Sequence, residues 1–232
     1  MDAAEGSSLP PRGRIRARLP STEYARDDER ALRAGLPGSR AAVLSDRSLS
    51  YGVGVPEAAP FVQRARQAGI ATVRRSTGGT GLLHEPGDLA WSIVLPRGDP
   101  RVGRQFPRAF GRFGRGAVRF LADLGIEAEW VDAPGLDPGY CTLSARGAVL
   151  ASRGRILGGA AQHLTGAALL HHGAISLTVD RPTIDRLFEL APGGPSVRLS
   201  GLRSLGIGDE PERLATTLAR RLDEDLFPVP SR

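Results

Sequence analysis

The sequence predicts an α+β fold of mixed β-sheets with packed helices, and three observations carry that expectation. Short segments with two-residue apolar alternation, such as IATVRR and LAWSIVLP, are interspersed with segments at helical spacing, such as EAAPFVQRARQAG and EPERLATTLARRLDEDL. The 232 residues are enough for one large core. Neither an internal repeat nor a linker divides them.

Taken in order, residues 1–20 are polar and rich in Pro and Arg, and are expected to be a disordered basic arm. A short helix is predicted from Asp27 to Ala34. AAVLSD and SLSYGVGVP then read as two strands around a polar turn. EAAPFVQRARQAG is a helix closed by Gly69. IATVRR leads into a glycine turn, and GLLH and LAWSIVLP are strands separated by the turn EPGD. QFPRAFGRFGRGAVRFLADLG is one helix, with Phe106, Phe110, Phe113, Val118 and Leu121 spaced for one face and Pro107 in the first turn. IEAEWV returns as a strand, DAPGLDPG is a loop, and YCTLS, GAVLAS and GRILGG are strand-like. LLHHGAISLTVD is the clearest late strand, with Ile175, Leu177 and Val179 alternating. RPTIDRLFEL and the amphipathic EPERLATTLARRLDEDL are the closing helices.

Composition excludes several function classes. No apolar run approaches the roughly 20 residues of a membrane helix, and the N-terminus lacks the apolar stretch of a secretory signal. One cysteine, Cys141, allows no intrachain disulfide and no Cys-rich zinc site, which fits a reducing, cytoplasmic setting. The four histidines are not spaced for zinc, since His171 and His172 on one strand point to opposite faces. An aromatic content of 5%, with no aromatics interleaving the arginines, argues against nucleic-acid recognition. Trp91 and Trp130 read as core. All 31 Lys-plus-Arg residues are arginines, so no side-chain amine can form a Schiff base. The net charge of +6 suits an acidic partner through steering.

The stretch VRRSTGGTGLLHEPGDLAWS, residues 73–92, sets two arginines and a glycine pair inside strand-like sequence. Successive glycines let backbone N–H groups approach an anion, and adjacent arginines supply charge-assisted hydrogen bonds. The spacing matches neither a P-loop nor a dinucleotide fingerprint. Arg74-Arg75-x-Thr77-Gly78-Gly79, then His84, Glu85-x-Gly87-x-Leu89-x-Trp91-Ser92, resembles the signature of the lipoate-protein ligase and octanoyltransferase family, which shares its catalytic fold with biotin ligases. Asp88 departs from it, since the family usually carries asparagine there. GRILGGAAQHLTGAALLHHGAISLTVD resembles the family's second block and SVRLSGLRSLG a third, in the same order.

The resemblance implies one biotin/lipoate ligase-like catalytic domain over residues 21–232, without a C-terminal accessory domain. It implies transfer of a lipoyl or octanoyl group to a lysine of a lipoyl carrier domain, of the 2-oxoacid dehydrogenase E2 or glycine-cleavage H type. Arg74, Arg75, Thr77, Gly78, Gly79, His84, Gly158, Gly159, His172 and Gly173 would line the substrate site. The donor would be lipoate with ATP and Mg in a ligase, or an octanoyl acyl carrier protein in a transferase; a separate accessory subunit is a further partner. No structural metal and no membrane or nucleic-acid partner is expected. Arg155 stands where the family places its catalytic lysine; its guanidinium keeps the charge but is wider. Cys141, fourteen residues earlier, matches the placement of a cysteine nucleophile used by some octanoyltransferases, and neighbouring cations would favour its thiolate. Three readings stay open: ligase through an acyl-adenylate, octanoyltransferase through a Cys141 thioester, or a non-catalytic acyl- or carrier-binding homologue that lost activity at Arg155. An inert cysteine is as compatible with the sequence as a nucleophile.

Overall fold

The computed structural model describes residues 14–102, 109–137, 139–144, 147–191 and 193–226. A seven-stranded mixed sheet is built from β1 (Arg14–Leu19), β2 (Gly38–Leu44), β6 (Leu89–Pro96), β7 (Glu129–Asp132), β8 (Ala148–Ser152), β9 (Arg155–Leu164) and β10 (Ala168–Ile175). Its order is β1-β2-β6-β10-β9-β8-β7, with β1 parallel to β2 and every other pair antiparallel. A three-stranded sheet, β4-β3-β5, is formed by β3 (Ser48–Tyr51), β4 (Ala71–Arg74) and β5 (Gly81–His84). The helices are α1 (Ser21–Ala34), α2 (Pro60–Gln67), α3 (Ala109–Phe113), α4 (Arg115–Asp123), α5 (Arg181–Phe188) and α6 (Pro211–Leu226). Among the described residues no helix is long and apolar enough to cross a membrane.

Side-chain alternation divides the large sheet into two faces. Leu89, Trp91, Ile93 and Leu95 of β6 join Leu169 and Ile175 of β10 in the main core. That core is closed by Ala117, Phe120 and Leu121 of α4 and by Leu214, Leu218 and Leu222 of α6. On the opposite face, Ala42, Leu44 and Ala90 meet Leu19 and Tyr24, and Val94 and Leu170 meet Leu32 of α1. A second core, with Leu49, Val62, Leu83, Leu143, Val149 and Leu187, ties the small sheet to α2, α5 and the β8–β9 hairpin. The small sheet and α1 thereby enclose the Ala-rich face of the large one.

Several expectations are corrected. Arg14–Leu19 forms β1 rather than part of a disordered arm, because its backbone pairs along β2; residues 1–13 lie outside the described residues. The first helix begins at Ser21, well before Asp27, and the left-handed Gly35 closes it. The AAVLSD and SLSYGVGVP segments do contain strands, as expected, and the structure adds that these belong to different sheets, as do those of GLLH and LAWSIVLP. The helix expected over 105–125 divides into α3 and α4 at Gly114, whose carbonyl accepts from Trp130 Nε1 at 2.9 Å. Phe113 and Leu121 are buried as expected and Val118 packs on the core; Phe106 and the Phe110 side chain lie outside the described residues. YCTLS is not a strand: Cys141–Leu143 is one turn of 3-10 helix. The late strand ends at Ile175, so Leu177 and Val179 are beyond it; Ser176 N instead donates to Leu157 O at 2.9 Å.

Candidate active site

A largely apolar cavity of about 780 Å³, counting its open mouth, lies between the two sheets and α1. Its walls are mostly small: Ala25, Ala90, Ala133, Ala148, Ala160 and Ala174. Polar groups gather at two places in this lining. Arg75, Ser50, His84 and Cys141 form one, and Asp28 and His172 form the other. A long apolar wall with few convergent polar groups is the usual make-up of a small-molecule site.

The first group is organised by Arg75. It follows the last residue of β4, so alternation turns it inward while Arg74 turns out, exposed, to donate to Val53 O at 2.6 Å. Arg75 is buried. Its Nη2 donates to the carbonyls of Gly78 (2.9 Å) and Thr80 (3.0 Å), and its Nη1 donates to Ser50 Oγ at 3.2 Å. Nη2 also reaches Cys141 Sγ at 3.5 Å. Burial pulls the guanidinium below its usual pKa, and Cys141 opposes that shift. The sequence anticipated arginine forks pointing at a ligand; Arg75 instead spends most of its donors holding the glycine turn in shape. That use fits the fork geometry, because a buried guanidinium needs several acceptors at once.

Gly79 is fixed by this arrangement. Its φ of +91° lies in the left-handed region, and a Cβ there would stand 2.6 Å from Arg75 Nη2 and 2.8 Å from Cys141 Sγ. Only glycine lets the turn close over both groups. Cys141, a free and partly exposed thiol, is brought to this point by a loop tied to β5: Gly81 N donates to Gly139 O at 3.1 Å. Asp137 Oδ1 shapes that loop by accepting from the backbone N–H of Gly139 (2.7 Å) and Tyr140 (2.6 Å).

His84 is buried and bonds Ser50 Oγ through Nε2 at 2.8 Å. Burial first, then the charges of Arg75 and His172, push it down to about 3, so it is a neutral imidazole. His171 and His172 face opposite ways, as strand alternation requires. His171 is sealed among Trp91 and Phe113, with ring centroids 4.9 and 5.8 Å away, while His172 lines the cavity. His172 Nδ1 is 2.8 Å from Asp28 Oδ2 and its Nε2 is 2.7 Å from Thr77 Oγ1. Asp28 is bonded by Arg40, which also donates to Tyr24 O (2.9 Å) and Ser92 Oγ (2.8 Å) and lies over the Tyr24 ring. Burial pushes the Asp28 carboxyl up, but Arg40 and His172 outweigh it and hold the group below the ordinary carboxylate range.

Of the residues singled out from sequence, Arg75, His84, Cys141, Gly159, His172 and Gly173 line the cavity. Thr77 is fully buried behind His172, and Gly78 and Gly79 form the turn without lining the space. Gly158 faces Ala174, whose carbonyl would lie 2.0 Å from a Cβ there. Gly173 serves close contact with Trp91, whose ring would lie 2.7 Å from its Cβ, rather than ligand approach alone. The structure does not bring Arg155 to the cavity. It is exposed as the first residue of β9, and Gly159, the first β9 residue in the lining, is four positions and about 13 Å farther along.

Sequence reasoning missed Asp28, Arg40, Tyr24 and Ser50. A signal for Asp28 was present: in the helix it sits four residues from Tyr24 and four from Leu32, a carboxylate on the apolar stripe. Arg40 and Ser50 carried no such mark, because their partners are distant in sequence.

Comparison with known proteins agrees with this architecture. Octanoyltransferase LipM of Macrococcus caseolyticus is 28% identical over 138 residues, 56% of this chain and 49% of that protein. The chain thus spans about half the length of that relative. The crystal structure of lipoate-protein ligase A bound with ATP superposes with a TM-score of 0.72 at 23% identity, covering 93% of this chain and 85% of that one. The bi-partite lipoate protein ligase of Thermoplasma acidophilum, described with its E2 lipoyl domain, gives 0.62 at 20% identity, covering 93% and 84%. Residues 46–201 match the lipoyl protein ligase A/B catalytic domain, so the chain belongs to the lipoate-protein ligase and octanoyltransferase family.

Proposed function

We propose that this protein is an acyltransferase of protein lipoylation that carries an octanoyl group as a thioester on Cys141. The observation that supports this reading is the Cys141 thiol at the wall of an apolar cavity, 3.5 Å from the buried Arg75 guanidinium. A cation at that distance is already in place to meet the negative charge that develops on the acyl oxygen. The Cys141 sulfur attacks the thioester carbonyl of an acyl-carrier donor; the new C–S bond forms and the donor thiolate leaves. A carrier-domain lysine amine then attacks the Cys141 thioester, forming the amide and releasing the cysteine sulfur. The Ala-lined cavity holds the acyl chain, and Arg155 has no part in either step.

A second reading, an ATP-dependent ligase, draws on the superposition with lipoate-protein ligase A. One experiment separates them. The protein is incubated with octanoyl acyl carrier protein, or with lipoate and Mg-ATP, and both it and an apo lipoyl domain are weighed by mass spectrometry. The transferase reading expects one octanoyl group on the enzyme and then on the acceptor. Both are lost in Cys141→Ser, by more than about 1,000-fold, as removal of an acyl-carrying nucleophile requires. ATP-dependent modification that survives Cys141→Ser establishes the ligase. Ligand binding without modification of the acceptor overturns both and leaves a binding protein.

A further inference from the structure

The cavity has an open end and a blind end, and strand register places both. On the Ala-rich face of the large sheet, Gly159 of β9 pairs with Ala174 of β10, Ala174 with Ala90 of β6, and Ala90 with Ala42 of β2. These four residues form one row across the strands, with no side chain larger than a methyl group. The row starts beneath the thiol segment: a Cβ on Gly159 would stand 3.0 Å from Cγ2 of Thr142, the residue after Cys141. Gly159 and Cys141 are partly exposed, whereas Ala90, two strands away, is buried. Past Ala90 the lining ends in Tyr24 of α1 and Leu44 of β2, which are buried in one cluster with Ala90. Ala42 belongs to the same cluster and is not part of the lining. The cavity therefore opens beside Cys141 and closes at Tyr24.

The geometry points to Tyr24 as the residue that sets acyl-chain length, admitting a straight chain of about eight carbons and excluding longer ones; this rests on the acyl-transfer reading above. The length follows from strand spacing. From β9 to β6 is two spacings, about 10 Å. The seven C–C bonds of an octanoyl group, each about 1.5 Å and staggered, extend roughly 9 Å. A twelve-carbon chain extends about 14 Å and needs a third spacing, where the Tyr24 ring stands. That ring is held in place. The Arg40 guanidinium carbon lies 4.4 Å from its centroid, and the same guanidinium donates to Tyr24 O at 2.9 Å and pairs with Asp27 and Asp28. Ser21, one turn earlier on α1 and also in the lining, is fixed as well. Its Oγ donates to Asp46 Oδ1 at 2.9 Å and accepts from Ser48 Oγ at 2.6 Å. The end wall is thus built of groups that cannot yield cheaply to a longer chain.

The test reads binding, so it does not depend on turnover. Hexanoate, octanoate, decanoate and dodecanoate are titrated into the full-length protein by calorimetry. For the unaltered protein, affinity is expected to rise about fourfold per carbon up to octanoate, the worth of one buried CH2, and to gain nothing beyond it. Tyr24→Ala is expected to continue that rise, with dodecanoate bound at least about 30-fold more tightly than octanoate. Tyr24→Phe, which keeps the ring, is expected to keep the limit at octanoate. Ala90→Leu works in the opposite direction and serves where Tyr24→Ala does not fold. Its limit is expected to move to hexanoate, which should bind within about threefold of its affinity for the unaltered protein. An affinity that climbs steadily through dodecanoate in the unaltered protein overturns the proposal. So does a limit that stays at octanoate in Tyr24→Ala, or an Ala90→Leu protein that weakens hexanoate and octanoate alike. A limit at octanoate together with no octanoyl group on Cys141 from the carrier donor leaves the role of Tyr24 standing and overturns the acyl-transfer reading instead.

Discussion

The two faces of the seven-stranded sheet are made from the same strands and do opposite things. On one, Leu89, Trp91 and Ile93 interleave with Phe120, Leu121, Leu218 and Leu222 and leave no room. On the other, the alternate residues Ala90 and Ser92, with Ala161, His172 and Ala174 across the neighbouring strands, are small or polar. Backbone geometry is common to both faces, so side-chain volume decides which becomes core and which becomes cavity. The histidine pair shows this at single-residue resolution: His171 is sealed against Trp91, and His172 one step later meets Asp28 beside the cavity. Polar groups on the filled face must be hidden by packing, whereas those on the open face are joined into networks.

Adjacent substitutions on β6 break the comparison most directly. Trp91 is fully buried and packs edge-on to Trp130 at 6.5 Å. Trp91→Ala should cost about 3–5 kcal/mol of unfolding free energy, measured by denaturant titration, through lost contacts and the void left behind. Ala90→Leu, one residue away, should act chiefly on binding. Ala90 lines the cavity and also touches the small cluster of Leu19, Tyr24, Ala42 and Leu44, so octanoate affinity by calorimetry should fall at least about 30-fold, close to 2 kcal/mol, while crowding of that cluster costs about 1–3 kcal/mol of unfolding free energy, less than Trp91→Ala. Equal stability losses in the two variants would mean that the Ala90 side is core and not a cavity.

The filled face was legible in the sequence because it is written in local periodicity. Alternation over LAWSIVLP and helical spacing over EPERLATTLARRLDEDL suffice to place Trp91 and Leu218 inward. The glycine turn, His84, Cys141 and His172 were legible through motif spacing and through opposite facing along a strand. The partners of those residues were not. Asp28, Arg40 and Ser50 reach the site only because β2 pairs with β6 and α1 crosses the sheet, and such long-range pairings leave no local pattern. Arg155 shows the converse: a residue can stand in a motif's expected place and still be exposed at the start of the hairpin strand, outside the cavity lining. Even Asp88, noted only as a departure from the family's asparagine, owes its character to contacts the sequence does not display.

Asp88 sits where β6 begins, between the two faces, and offers the smallest and sharpest measurement. Its oxygens accept from Leu177 N at 2.7 Å and Glu85 N at 3.0 Å, joining the EPGD turn to the segment past β10. Burial raises this carboxyl from its ordinary 3.8 to about 7, and the backbone donors only partly offset that. A group whose folded value exceeds its unfolded value stabilises the fold while protonated. Its contribution is full below about pH 4 and declines as pH rises through about 7. Relative to Asp88→Asn, which carries no charge, the unaltered protein should lose stability over that window with a slope of at most roughly 1.4 kcal/mol per pH unit. Urea titrations of both proteins at pH 5, 6, 7 and 8 measure the difference. Parallel curves would place Asp88 at its ordinary value, with the two backbone donors outweighing burial, and the boundary between the faces would then be as well solvated electrostatically as the open side.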